Sequence, residues 1–285
     1  MKTWLLVSLL LTSSLSYAIV IRHDVDDSQY QATLSDFPAL ATFYIDGAHG
    51  TLIAPQWIVT AAHATFCLTP GTTIKVNRQP ATVKQKWIHP EYTPGKGNDI
   101  ALVQLTTAMS GIPAASLYRG NEEQDMPLWF IGAGGTGNGK TGQVIDNYEN
   151  NGVLRKAQNR VSDVSSNLLF FLFDEGKYAL PLEGVSGGGD SGGPAYFTED
   201  NQLILVGVSS RYQGEAIGLY GIREVYTRIS AQAEWIDSVM NANETSRTDV
   251  ATTRLHSLPG GLSRATLSNV CEQISFTTDK SKEQQ

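Results

Sequence analysis

The chain has 285 residues, of which 41% are hydrophobic and 17% charged, with 27 glycines and 11 prolines. This make-up excludes a disordered or collagen-like protein and supplies enough apolar side chains for a large core. With 28 Asp and Glu against 21 Lys and Arg the net charge is −7, and no basic run occurs. A nucleic-acid or anionic-membrane surface, which needs clustered positive charge, is thereby excluded.

In chain order, residues 1–18 open with Lys2, run through apolar Trp4 to Val7 and Leu9 to Leu11, and close on Ser16-Tyr17-Ala18. That is the pattern of a secretory signal peptide cut after a small residue. Ser8, Thr12, Ser13 and Ser14 interrupt the run, which is too short for a membrane anchor, and no later segment approaches membrane-spanning length. The mature chain is expected to be secreted or periplasmic and free of the membrane. Cys67 and Cys271 are too few for a disulfide scaffold or a cysteine-based metal site, and no metal or cofactor is expected. An oxidising compartment permits one Cys67–Cys271 bridge, and two unpaired thiols are the alternative.

Short runs rich in β-branched and aromatic residues follow at 41–45, 57–60, 100–105, 128–131, 168–173 and 203–208, separated by Gly, Pro and Asn. They predict strands. Helical spacing occurs over 230–241, where Ala233, Ile236, Val239 and Met240 recur with Trp235 beside them. An all-β domain over 19–240, closed by one helix, is the expectation. Residues 241–285 turn polar, with a Pro259-Gly260-Gly261 break, and predict a mostly flexible tail.

Three motifs carry chemistry. Gly187-Gly188-Gly189-Asp190-Ser191-Gly192-Gly193-Pro194 surrounds one serine with glycines that let backbone N–H groups approach a reacting oxygen. Thr60-Ala61-Ala62-His63 follows an apolar strand whose end can hold an imidazole rigidly as the base such a serine needs. Asn98-Asp99-Ile100-Ala101-Leu102 places a carboxylate at the opening of another apolar strand, where it can orient that imidazole. His23, His49, His89 and His256 lack such a setting.

These three motifs, in that order, resemble those of the chymotrypsin-like (trypsin family) serine proteases. The likeness covers 19–240, including Gly50-Thr51-Leu52-Ile53, Val225-Tyr226-Thr227-Arg228-Ile229 and the closing helix. The resemblance implies two six-stranded antiparallel β-barrels with the site between them. It also implies a serine endopeptidase acting through an acyl-enzyme, with Ser191 as nucleophile, His63 as general base and acid, and Asp99 as orienter. The N–H groups of Gly189 and Ser191 would form the oxyanion hole. Partners would be polypeptide substrates and protein inhibitors, and the chain would be a monomer.

The same resemblance makes Ile19 and Asp190 an activation pair, in which cleavage after Ala18 frees the Ile19 amine for Asp190. It places Val185 at the base of the primary specificity pocket, with Ser210, Tyr212 and Glu224 along its walls. Val185 argues against simple trypsin specificity, Glu224 could recover a preference for Arg or Lys, and Arg211 could attract acidic side chains. Ala48, Ala64 and Gly187 stand where family members usually carry cysteines, so packing and main-chain bonds must hold the site, and a Cys67–Cys271 bridge could tie the tail to the barrel near His63. The stretch 134–141 satisfies a phosphate-loop pattern, yet no helical periodicity follows it, so nucleotide binding is not expected. Two rival classes share the sequence: a non-catalytic binding protein on the same fold, and an esterase using the same triad. Asn243-Glu244-Thr245 fits a glycosylation acceptor.

Overall fold

Most strands are buried along nearly their whole length, and one long strand alternates. In residues 155–161, Arg155, Ala157, Asn159 and Val161 are buried while the residues between them are more exposed, the period-two signature of a half-buried strand. The computed structural model describes residues 19–276; the expected signal peptide, 1–18, lies outside the described residues, as do 277–285.

The first barrel is built from β1 (Leu40–Tyr44), β2 (Gly47–Ala54), β3 (Trp57–Thr60), β4 (Thr73–Val76), β5 (Gln79–Ile88) and β6 (Ala101–Leu105). Its closed order is β1-β2-β3-β6-β5-β4, antiparallel throughout. The second is built from β7 (Pro127–Gly132), β8 (Arg155–Val164), β9 (Leu168–Leu172), β10 (Pro194–Glu199), β11 (Gln202–Gln213) and β12 (Arg223–Arg228). It repeats the order as β7-β8-β9-β12-β11-β10, and the β10–β7 pairing closes it. Closure leaves neither sheet a long exposed edge. The expected pair of six-stranded antiparallel barrels is thus present, followed by α1 (Ile229–Asn241).

Each barrel carries its own core. Phe43, Leu52, Ile58, Val103 and Leu105 fill the first, and Ile236 and Val239 of α1 join the same cluster. In the second, the rings of Phe130 and Tyr226 stack at 4.9 Å and Phe171 meets Phe130 edge-on at 4.9 Å, a favoured arrangement for buried aromatics. Before the first barrel, Ile19–Ile21 forms a short buried strand between Thr136–Asn138 and Gly184–Val185. The phosphate-loop lookalike is a hairpin, Thr136–Asn138 returning through Gly142–Ile145, with no helix to face a phosphate.

Composition misled at the C-terminal end. Instead of leaving the surface as a polar tail, residues 241–276 pack back onto the first barrel. Arg247, at the start of α2 (Arg247–Val250), lies between the rings of Trp57 and Trp87 at 5.2 and 5.1 Å and donates to the Val239 carbonyl at 2.8 Å. Thr252 exchanges two main-chain hydrogen bonds with Ile88, and Ala251 and Leu255 are buried. α3 (Leu267–Ile274) is pinned by a Cys67–Cys271 disulfide with Cα atoms 5.3 Å apart, and the Ile274 carbonyl accepts from Ile45 N–H. A few apolar residues and one arginine, spaced among polar ones, suffice for this docking. Among the described residues no helix is long and apolar enough to cross a membrane.

Candidate active site

Register brings two of the motif residues together. Thr60 at the end of β3 lies opposite Ala101 at the start of β6, so the chain leaving one strand and the chain entering the other meet at the same barrel end. His63 follows by three residues and Asp99 precedes by two. His63 Nδ1 is 2.8 Å from Asp99 Oδ2, and the His63 main-chain N–H donates to Asp99 Oδ1 at 3.0 Å. Ser210 Oγ donates to Asp99 Oδ2 at 2.7 Å, and the Thr227 hydroxyl donates to the Asp99 carbonyl at 2.9 Å. The second barrel therefore grips the first barrel's carboxylate from behind.

Ser191 arrives from the second barrel, three residues before β10, with Oγ 2.8 Å from His63 Nε2. Burial opposes charging of His63, but the Asp99 charge and hydrogen bond outweigh it and hold the imidazole above its ordinary value. Burial likewise opposes ionisation of Asp99, and His63 and Ser210 keep that carboxyl below the usual range. This is a base held beside a hydroxyl, with a carboxylate oriented to accept the charge that a proton transfer would create.

The glycine-rich loop is fixed by its main chain. The Gly189 carbonyl accepts from Ala48 N–H at 2.7 Å and the Ser191 carbonyl from His49 N–H at 2.8 Å, both donors on β2. Gly188 N–H donates to Gln143 Oε1 at 2.7 Å. Among the described residues no acceptor takes the N–H of Gly189 or of Ser191, which leaves both donors available to a ligand oxygen. Gly189 has φ +92° and Gly192 φ +79°, the left-handed region, and a Cβ on Gly192 would overlap the His49 carbonyl.

Beside Ser191 opens a cavity of about 270 Å³. Ser186, Ser209, Ser210, Arg211, Tyr212 and Glu224 contribute to its lining. Glu224 is 2% exposed; burial, with the nearby Asp190 carboxylate, raises its carboxyl well above the usual range. Behind the loop, Asp190 accepts from Gly134 and Gly187 N–H at 2.7 and 2.9 Å, and burial pushes it up to about 7. His49 Nε2 lies 3.7 Å from Asp190 and accepts from Ala133 N–H at 3.1 Å. Burial lowers His49 to about 4, so it stands there as a neutral ring. Among the described residues no cluster of three or more His, Cys, Asp and Glu could hold a metal ion.

The family model described as Trypsin matches residues 27–236. The chain belongs to the trypsin family. Among relatives of this trypsin-family protease, a protein named trypsin from Saccharopolyspora erythraea is 31% identical over 215 residues, covering 68% of this chain and 86% of its own. A trypsin named Tyr p 3.0101 from Tyrophagus putrescentiae is 29% identical over 232 residues, 71% and 74% of the two chains. The chymotrypsin-like elastase family member 1 of Canis lupus familiaris is 26% identical over 220 residues, 68% and 81%. The protein is a serine-type endopeptidase, a hydrolase whose family acts on polypeptides.

In this protease the structure gathers most of the residues singled out from sequence at the barrel interface. His63, Asp99 and Ser191 lie within hydrogen-bonding distance in series, and Ser210, Tyr212 and Glu224 line the cavity. Ser210 also bonds Asp99, a role its position in a strand does not announce. Val185 differs from expectation: it is fully buried, pairs with Val20 and packs on Phe173 and Ile222, so it backs the cavity instead of lining it. His49 was passed over in the sequence because its neighbours are small residues without a strand-end motif. Only the fold puts it beside Asp190.

Proposed function

We propose that this trypsin-family protease is exported by residues 1–18 and hydrolyses peptide bonds through an acyl-enzyme on Ser191. The observation that carries the proposal is the series of contacts from Ser191 Oγ to His63 Nε2 and from His63 Nδ1 to Asp99, each 2.8 Å. In it, His63 takes the Ser191 proton as Oγ attacks the scissile carbonyl carbon. Asp99 stabilises the imidazolium, and the free N–H groups of Gly189 and Ser191 receive the oxyanion. Collapse of the tetrahedral intermediate breaks the C–N bond as His63 passes its proton to the leaving amine. Water, deprotonated by the same imidazole, then releases the acyl group and restores the hydroxyl.

Activation would follow from cleavage after Ala18, with the new Ile19 amine pairing with Asp190. Ile19 is buried and pairs with Thr136, two residues from the Gly134 N–H that bonds Asp190. Its φ of +61° is strained for a β-branched residue, and losing the preceding carbonyl removes that constraint. The test compares the chain beginning at Ile19 with its Ser191→Ala variant on a mixed peptide library read by mass spectrometry. Cuts made by the first and absent from the second are expected; equal cutting by both would overturn the assignment.

A further inference from the structure

We propose that the C-terminal segment and the first barrel together form a second binding groove, apart from Ser191, that holds an extended acidic polypeptide segment carrying an apolar side chain.

The groove has a volume of about 230 Å³, with Leu34, Ile45, Leu154 and Phe276 as its apolar lining and Lys75 and Arg78 as its charges. Phe276 follows α3, so this wall stands outside residues 27–236, the part of the chain that the family model matches. The Cys67–Cys271 bridge and the hydrogen bond from Ile45 N–H to the Ile274 carbonyl, 2.8 Å, hold it against the barrel. Ile45 is 57% exposed, and Leu34, Leu154 and Phe276 are only partly buried. Apolar surface is thus left open in a concave place, which is where a partner's side chain gains most by docking.

Charge identifies the partner. In a chain of net charge −7, neither Lys75 nor Arg78 is ion-paired among the described residues, whereas the surface cations Lys84, Arg119 and Arg223 are. Among the described residues no Asp or Glu lines the groove. Lys75 Nζ lies 4.6 Å from the centre of the Phe276 ring, so a cation and the apolar wall are presented together. Arg78 occupies a position that its turn would assign to another residue. Val76 pairs with Gln79, so Asn77 and Arg78 form a two-residue hairpin turn between β4 and β5, with φ of +49° and +63°. Asn and Gly fill such positions at least cost. An arginine kept in the left-handed region is an outlier that points to use of its side chain, and here that side chain meets the groove. Carboxylates on an extended segment supply both cations with charge-assisted hydrogen bonds, while an apolar side chain between them packs on Phe276 and Leu154.

The groove shares no lining residue with the cavity beside Ser191, so its occupant leaves the nucleophile open. Gly47 nevertheless joins the two regions: it lines the groove, and a Cβ on it would meet the Gly189 carbonyl. An acidic segment bound there tethers its polypeptide next to the glycine loop without entering the cleft.

The experiment measures fluorescence anisotropy of a labelled peptide, one Phe flanked by Asp and Glu, on the full chain beginning at Ile19, with Ser191→Ala throughout so that the probe stays uncut. Saturable binding is expected, roughly 20-fold weaker when Lys replaces the peptide's acidic residues. Arg78→Gly and Lys75→Gln should each weaken binding about fivefold, and Phe276→Ser about tenfold. Because glycine suits the turn, Arg78→Gly should not lower Tm, which separates lost binding from lost folding. No saturable binding, equal affinity for the acidic and lysine peptides, or affinity unchanged in the three groove variants would overturn the proposal. So would a gain of about tenfold on combining Asp279→Lys with Glu283→Lys, since the groove would then belong to the chain's own last residues.

Discussion

His63 is poised by a balance of burial against the Asp99 charge, and the sign of that balance can be tested. Because the imidazole must be neutral to accept a proton, kcat/KM should rise with pH through a limb above the ordinary histidine value. Asp99→Asn removes the charge that raises it, so the limb should move to lower pH while turnover falls by about 10⁴-fold. A limb that stays in place would show that Asp99 does not set the His63 ionisation. The three motif residues were legible in the sequence because the chemistry demands their types in recognisable settings. Ser210 and His49 were not, since their neighbours in space come from other strands: Ser210 meets an aspartate 111 positions away, and no local pattern encodes that.

At the scale of elements, the site rests on the close approach of β2 to the glycine loop. Ala48 donates its N–H to the loop, and the Ala64 carbonyl accepts the Tyr44 hydroxyl at 2.8 Å. Gly192→Ala would force a side chain against the His49 carbonyl at a left-handed φ. We expect a backbone strain of about 1–3 kcal/mol at minimum, a lower Tm, and fewer sites titrated by an active-site acylating reagent. The Cys67–Cys271 crosslink spans 204 positions, and Cys271→Ser should cost about 2–4 kcal/mol in denaturant unfolding. Because α3 does not line the cavity beside Ser191, peptide turnover should change far less than stability. Six of the twelve barrel strands were readable as runs of β-branched and aromatic residues, and α1 from its helical periodicity; strands such as Gln79–Ile88 and Arg155–Val164, rich in polar residues, were not. The docking of 241–276 was not, because its contacts depend on isolated residues such as Arg247 finding Trp57 and Trp87.

Over the whole molecule, the two barrels and the N-terminal strand converge on Asp190, whose carboxyl is held near 7 by burial, with main-chain N–H groups, a neutral His49 and the buried Glu224 carboxyl around it and no cation among the described residues. In a chain that retains Ala18, the folded state keeps this proton between about pH 4 and 7 while the unfolded state has lost it. Stability should therefore fall as pH rises through that window, by roughly 4 kcal/mol for a shift of about three pH units. In a chain beginning at Ile19, the proposed amine partner favours the ionised carboxylate, so this loss should disappear while the amine stays protonated. Unfolding of the two forms followed from pH 4 to 8 is expected to show nearly equal stability at the acid end. The Ile19 form should then become the more stable as pH rises, until the amine itself loses its proton near pH 8. Parallel curves across the window would mean that Asp190 draws no charge from the terminus, and that the loop beside Ser191 is held by the β2 bonds alone.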